Sequence, residues 1–131
     1  MDMTITFPAG KRVDASFRDF TVKTDQPEKA DGDNSAPTPF ELFLASMGTC
    51  VGIFVLSFCR QRKIPTDGIT IQQKNEANPK THMIENVEFE IKLPEDFPER
   101  YTDAVIRAAE QCAVKRHLAD PPSFTINTAT G

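Results

Sequence analysis

The chain has 131 residues, with 15 Lys+Arg against 19 Asp+Glu for a formal charge of −4, and at about 150 residues per domain it is expected to form one domain, residues 1–131. Its 39% hydrophobic and 26% charged residues suit a globular protein and exclude disorder. An acidic pI near 5.1 without a basic cluster excludes a nucleic-acid or anionic-membrane footprint, because both require positive surface to displace counterions.

Met3 to Phe7 alternates apolar and polar residues, and Val13 to Thr24 repeats that period around Ala15, Phe17 and Val22. With Gly10-Lys11 as a turn, the two segments predict an antiparallel pair. Asp25 to Thr38 is rich in turn formers and aperiodic, hence a loop, and a loop of that length in a small domain is often functional. Thr38-Pro39-Phe40-Glu41 supplies an N-cap hydroxyl, a proline at the first helical position and a glutamate at the third, which together form a capping box. The helix it starts is predicted to run to about Lys63, with Arg60, Arg62 and Lys63 at the negative end of its dipole and Pro65 forbidding continuation.

Leu42 to Cys59 is uncharged throughout, long enough for a membrane span. Against a span stand the small polar residues Ser46, Thr49 and Ser57, the early Glu41, the lack of flanking tryptophan, and amphipathic segments on both sides that need a shared core. The better reading is a buried central helix. Gly48 and Gly52 leave a shallow stripe on it, read as a place to cross a second copy in a dimer, the alternative being close packing under a sheet.

Ile69 to Lys74 and Val87 to Leu93 alternate again and predict two more strands, with a turn over Asn75 to Thr81. Glu99 to Leu118 then places Tyr101, Val105, Ala108, Ala109 and Cys112 at helical spacing, one amphipathic helix with Cys112 on its buried face. Pro121 and Pro122 end it, and Phe124 to Asn127 reads as a short final strand. The fold class is therefore α+β, with antiparallel sheets around a long apolar helix and a second amphipathic one.

Three cysteines, without a basic-then-apolar leader, suggest a reducing compartment and no disulfide framework. Cys50 lies in mid-helix, where apolar surroundings alone leave a thiol inert. Cys59, nine residues on, points to the opposite side of that helix and reads as packing. Cys112 sits on another element, where pairing with Cys50 is geometrically possible. Metal binding is not expected, since neither the cysteine spacing nor His82 and His117 match a zinc pattern. Hydrolase elbows and phosphate loops are missing too. Thiol chemistry remains.

The run Pro37-Thr-Pro-Phe-Glu-Leu-Phe-Leu-Ala-Ser-Met-Gly-Thr-Cys50, followed by Ala108-Ala-Glu-Gln-Cys-Ala-Val-Lys-Arg116, resembles the OsmC/Ohr family of osmotically inducible and organic hydroperoxide resistance proteins. The resemblance extends over nearly the whole chain and implies an intertwined homodimer with active sites at the subunit interface. It further implies a cytoplasmic peroxidase for organic hydroperoxides, without a prosthetic cofactor, in which Cys50 is the peroxidatic thiol and Cys112 the resolving one. A dithiol of the lipoyl type would reset the pair. The family also sets an arginine from the early strands beside the thiolate. Arg12 matches that position best and Arg18 second, whereas Lys115 and Arg116 read as a solvated helix end. One departure matters: peroxidase members carry a glutamate ten residues before the reactive cysteine, where this chain has Phe40. Glu41, one step later, points elsewhere, which suggests a divergent branch. The alternatives are a non-catalytic dimer whose Phe40, Phe43 and Phe54 line an apolar ligand pocket, and a thiol redox sensor.

Overall fold

A computed structural model describes residues 1–131. The chain divides into two compact units, Met1–Ala45 and Ser46–Gly131. In the first unit β1 (Thr4–Thr6), β2 (Val13–Phe17) and β3 (Phe20–Thr24) form an antiparallel sheet in that order. The single run expected over Val13 to Thr24 is in fact two strands. Arg18 takes a left-handed backbone (φ 50°), and the chain folds back so that Phe17 pairs with Phe20. A polar Arg-Asp pair in mid-run was the available sign.

The aperiodic segment is a closed loop containing a one-turn 3-10 helix, Glu28–Ala30. Asp25 ties it shut: this buried carboxylate accepts hydrogen bonds from the backbone N–H of Gln26 (2.8 Å) and Ser35 (3.0 Å) and from the Ser35 hydroxyl. Those bonds, the Ser35 hydroxyl foremost, hold its pKa down from 3.8 to about 2. Gly32 lies so close to the Gln26 carbonyl that a Cβ there would collide with backbone.

The loop leads into α1 (Pro39–Gln61) through the expected capping box. The Thr38 N–H donates to the Glu41 carboxylate at 3.0 Å, and the Glu41 N–H donates to the Thr38 hydroxyl at 3.2 Å. The other end closes with Ile64 N–H on the Cys59 carbonyl (2.9 Å) and Lys63 N–H on Arg60 (3.2 Å). Lys63 is left-handed at φ 56°, so this is a Schellman stop with lysine where glycine is usual.

In the second unit β4 (Thr70–Ala77) and β5 (Ile84–Lys92) form an antiparallel hairpin, with Ile71 opposite Ile91 and Gln73 opposite Phe89. The strands reach further than alternation predicted, and the turn lies at Asn78 to Met83, where Asn78 Oδ1 accepts from the N–H groups of Lys80 and Thr81. α1 contributes Val55, Phe58 and Cys59 to a core with Phe97 and Val105, against which Ile69, Ile71, Ile91 and Leu93 pack. By length and composition α1 is able to cross a bilayer, yet Met47, Val51, Val55, Phe58 and Cys59 are buried within the chain. The glycine stripe is filled by the hairpin: Gln73 and Phe89 lie over Gly48, and Ile71 over Gly52. Sheet packing, not a second helix, therefore explains the two glycines.

Two further expectations fail. The helix over Glu99 to Leu118 is interrupted, giving a 3-10 turn (Glu99–Tyr101), α2 (Thr102–Ala109) and α3 (Ala113–Ala119). Cys112 is the non-helical residue before α3 (φ −46°, ψ 122°). Nothing in its neighbours forbids a helix; the compensating contacts come from distant residues, as shown below. The final strand over Phe124 to Asn127 does not form, since no neighbouring strand supplies a ladder, and Phe124 and Ile126 are 86% and 96% exposed.

Candidate active site

The interruption between α2 and α3 creates the site. A helix leaves its first backbone N–H groups without internal partners, and α3 begins directly after Cys112. Two of those groups meet Cys50, which stands half-buried midway along α1. The Val114 N–H is the main force holding the Cys50 thiol below its ordinary pKa. Partial burial opposes it, and the Cys112 thiol, the Ala113 N–H and the charge of Arg116 act with it. Hydrogen bonds to the thiolate and a nearby cation both favour the ionised form, the nucleophilic one.

Cys112 itself is 1% exposed; its sulfur faces the Met47 carbonyl at 4.0 Å. It also lines an apolar cavity of about 630 Å³ with Met47, Val51, Phe89, Leu93, Val105 and Leu118, where Glu90, Glu110 and Lys115 supply the charge. Phe40 and Phe43 lie against each other on α1, with ring centroids 5.6 Å apart. All three thiols are free. Cys59, wholly buried in the core, has its pKa raised by desolvation, the inert thiol its position predicted.

The structure thus brings Cys50 and Cys112 together from two elements. Arg12 belongs to the first unit, where its guanidinium donates to Asp33 (3.1 Å) and to the Ser35 hydroxyl (3.1 Å) and lies 3.9 Å from Asp25. Arg18, the second candidate, stacks on Phe20 at 4.8 Å from the hairpin turn. Glu41 is occupied by the capping box, and the Thr38 N–H and then its hydroxyl lower its pKa. Sequence reasoning passed over Arg116 as a solvated helix end and overlooked the N–H groups of Ala113 and Val114. The available signal was Arg116 standing four residues after Cys112, one turn into any helix beginning there. No group of three or more His, Cys, Asp or Glu side chains clusters as a metal site would require.

The α+β chain thus sets two free thiols next to each other at a helix start. Residues 32–127 match the family model described as OsmC-like protein, and the chain belongs to that family. No curated protein matches the sequence. Among solved structures, it is similar to an osmotic stress induced and detoxification response protein of Psychrobacter arcticus, with 18% identity, 87% of this chain and 85% of that one covered, and a TM-score of 0.73. An OsmC-like protein of Mycoplasma pneumoniae matches at 14% identity over 92% and 87%, TM-score 0.63. An organic hydroperoxide resistance protein of Legionella pneumophila matches at 15% over 90% and 89%, TM-score 0.52. At such identities the likeness establishes the α+β fold.

Proposed function

We propose that the chain is a cytoplasmic, thiol-dependent peroxidase of organic hydroperoxides, working as one OsmC-like domain in a homodimer. The observation that carries this reading is the meeting of Cys50 with the Cys112 thiol and the Val114 N–H, which favours a thiolate beside a second thiol. The Cys50 thiolate attacks the distal peroxide oxygen and the O–O bond breaks. The departing alkoxide takes a proton and leaves as alcohol, with Cys50 now a sulfenic acid. The Cys112 thiol then condenses with it, forming the S–S bond and releasing water. An external dithiol, of the lipoyl type by family likeness, takes up the oxidation and returns both thiols. Arg12 is the proposed further cation of the site.

The apolar cavity at Cys112 favours a hydrophobic substrate, and it equally favours a second reading, a dimer that binds an apolar ligand without turnover. Substoichiometric cumene hydroperoxide separates the two. For the peroxidase, two thiols per chain are lost for each peroxide, mass spectrometry finds the Cys50 and Cys112 peptides joined, Cys50→Ser abolishes consumption, and Cys59→Ser does not. An unchanged thiol titre, or activity persisting in Cys50→Ser, overturns this assignment.

A further inference from the structure

Of the four methionines, Met1, Met3 and Met83 are exposed, whereas Met47 is 8% exposed and lies in the wall of the cavity at Cys112. Among the residues of that wall only Met47 and Cys112 carry sulfur, the element a hydroperoxide oxidises. Met47 precedes Cys50 by three residues on α1, so the two side chains leave the same side of the helix about one turn apart. Its own carbonyl faces the Cys112 sulfur at 4.0 Å. Ile106 and Leu118 belong to the same wall and are half exposed, so the cavity opens to solvent beside them.

Access decides which methionine is oxidised. A small polar peroxide stays in water and meets the exposed thioethers first. An apolar hydroperoxide enters the cavity, because moving its hydrocarbon out of water is favourable, and there it is held against Met47 at an effective concentration far above that in solution. A thioether needs no deprotonation to act as a nucleophile, so burial does not silence it as it silences a thiol. The Cys50 thiolate is the stronger nucleophile and takes the first equivalent of peroxide. Met47 reacts once the thiols are oxidised.

We propose that Met47 is a modification site, converted to its sulfoxide by organic hydroperoxide in excess of what the thiols consume, and that the sulfoxide closes the cavity to apolar ligands. The inference rests on the reading that this cavity takes apolar hydroperoxides. The Met47 sulfur attacks the distal peroxide oxygen; an S–O bond forms and the O–O bond breaks. The proton of the distal oxygen passes to the departing alkoxide, which leaves as alcohol. The thioether is thereby oxidised by two electrons and the peroxide reduced by two. The new oxygen is a hydrogen-bond acceptor in an apolar wall, and an apolar ligand entering the cavity strips its water without replacing the bond.

The test incubates the reduced full chain with excess cumene hydroperoxide or hydrogen peroxide, titrates the thiols, restores them with dithiothreitol and maps sulfoxides by peptide mass spectrometry. Hydrogen peroxide is expected to oxidise Met3 and Met83, 51% and 68% exposed, at least tenfold faster than Met47. Cumene hydroperoxide reverses the order, with Met47 at least fivefold faster than Met83. Added cumyl alcohol, the spent product, slows Met47 and leaves Met83 unchanged. Calorimetry then finds that the wild type treated with cumene hydroperoxide binds cumyl alcohol at least fivefold more weakly, whereas Met47→Leu, a volume-conserving change without the sulfur, keeps its own affinity. Met47 oxidised no faster than Met83 by cumene hydroperoxide, indifference to cumyl alcohol, or an equal loss of affinity in Met47→Leu overturns the proposal. The thiol titre reads the peroxidase separately. Thiols lost with Met47 intact overturns this inference alone, and Met47 sulfoxide with an unchanged titre overturns the peroxidase while the modification site stands.

Discussion

The Cys50 thiol and the Val114 N–H, 64 positions apart in sequence, form the contact that contributes most to keeping the Cys50 thiol below its ordinary pKa. Because the folded-state pKa is depressed, the thiolate becomes abundant at lower pH than for a free cysteine. Iodoacetamide alkylation followed by peptide mapping is expected to give Cys50 a midpoint below 9.0, the ordinary value, and Cys59 one above it. Val114→Pro removes the donor at a helix position where proline is tolerated, and the Cys50 midpoint rises. Arg116→Gln raises it less, and its effect shrinks in high salt because the charge acts through solvent.

Acid stability of the loop follows Asp25. Its folded pKa is depressed, so its contribution is complete above the unfolded value of 3.8 and is lost as pH falls through about 2. Asp25→Asn is therefore expected to lower the urea midpoint by a constant amount at neutral pH. The gap from wild type closes between pH 4 and pH 2.

Gly32→Ala drives a methyl into the Gln26 carbonyl, where backbone must move. A cost of about 1–3 kcal/mol is expected for such overpacking. Limited proteolysis then cuts Gln26 to Ser35 faster than in wild type, the loop opening before the sheet does.

Lys63→Gly works in the other direction. A left-handed lysine costs roughly 1 kcal/mol relative to glycine, so the substitution raises the melting temperature by about 3 °C for a chain this size. An unchanged melting temperature would mean that Lys63 recovers the strain through contacts of its own.

Features carried by neighbouring residues were legible in the sequence. The Thr38–Glu41 capping box spans four positions and forms as read; the alternation of Val87 to Leu93 fixed which side chains of β5 turn inward. Features that depend on distant partners were not legible. The break before Cys112 has no local cause, for Ala108-Ala-Glu-Gln-Cys carries neither glycine nor proline. Its compensation lies on α1, in the Met47 carbonyl facing Cys112 and in the Cys50 sulfur accepting from Ala113 and Val114. Treating the segment as one helix hid both donors, since in an unbroken helix they are already spent. The unformed strand at Phe124 fails for a related reason: alternation records which side faces a core, not whether a ladder partner exists.

That break sets regularity against reactivity. Substitutions that favour a continuous helix through Gln111 and Cys112 would return the Ala113 and Val114 N–H groups to the carbonyls of Ala109 and Glu110, adding backbone order at the expense of the Cys50 anion. Variants selected for heat resistance alone would be drawn toward that smoother helix. They would emerge sturdier and chemically dull.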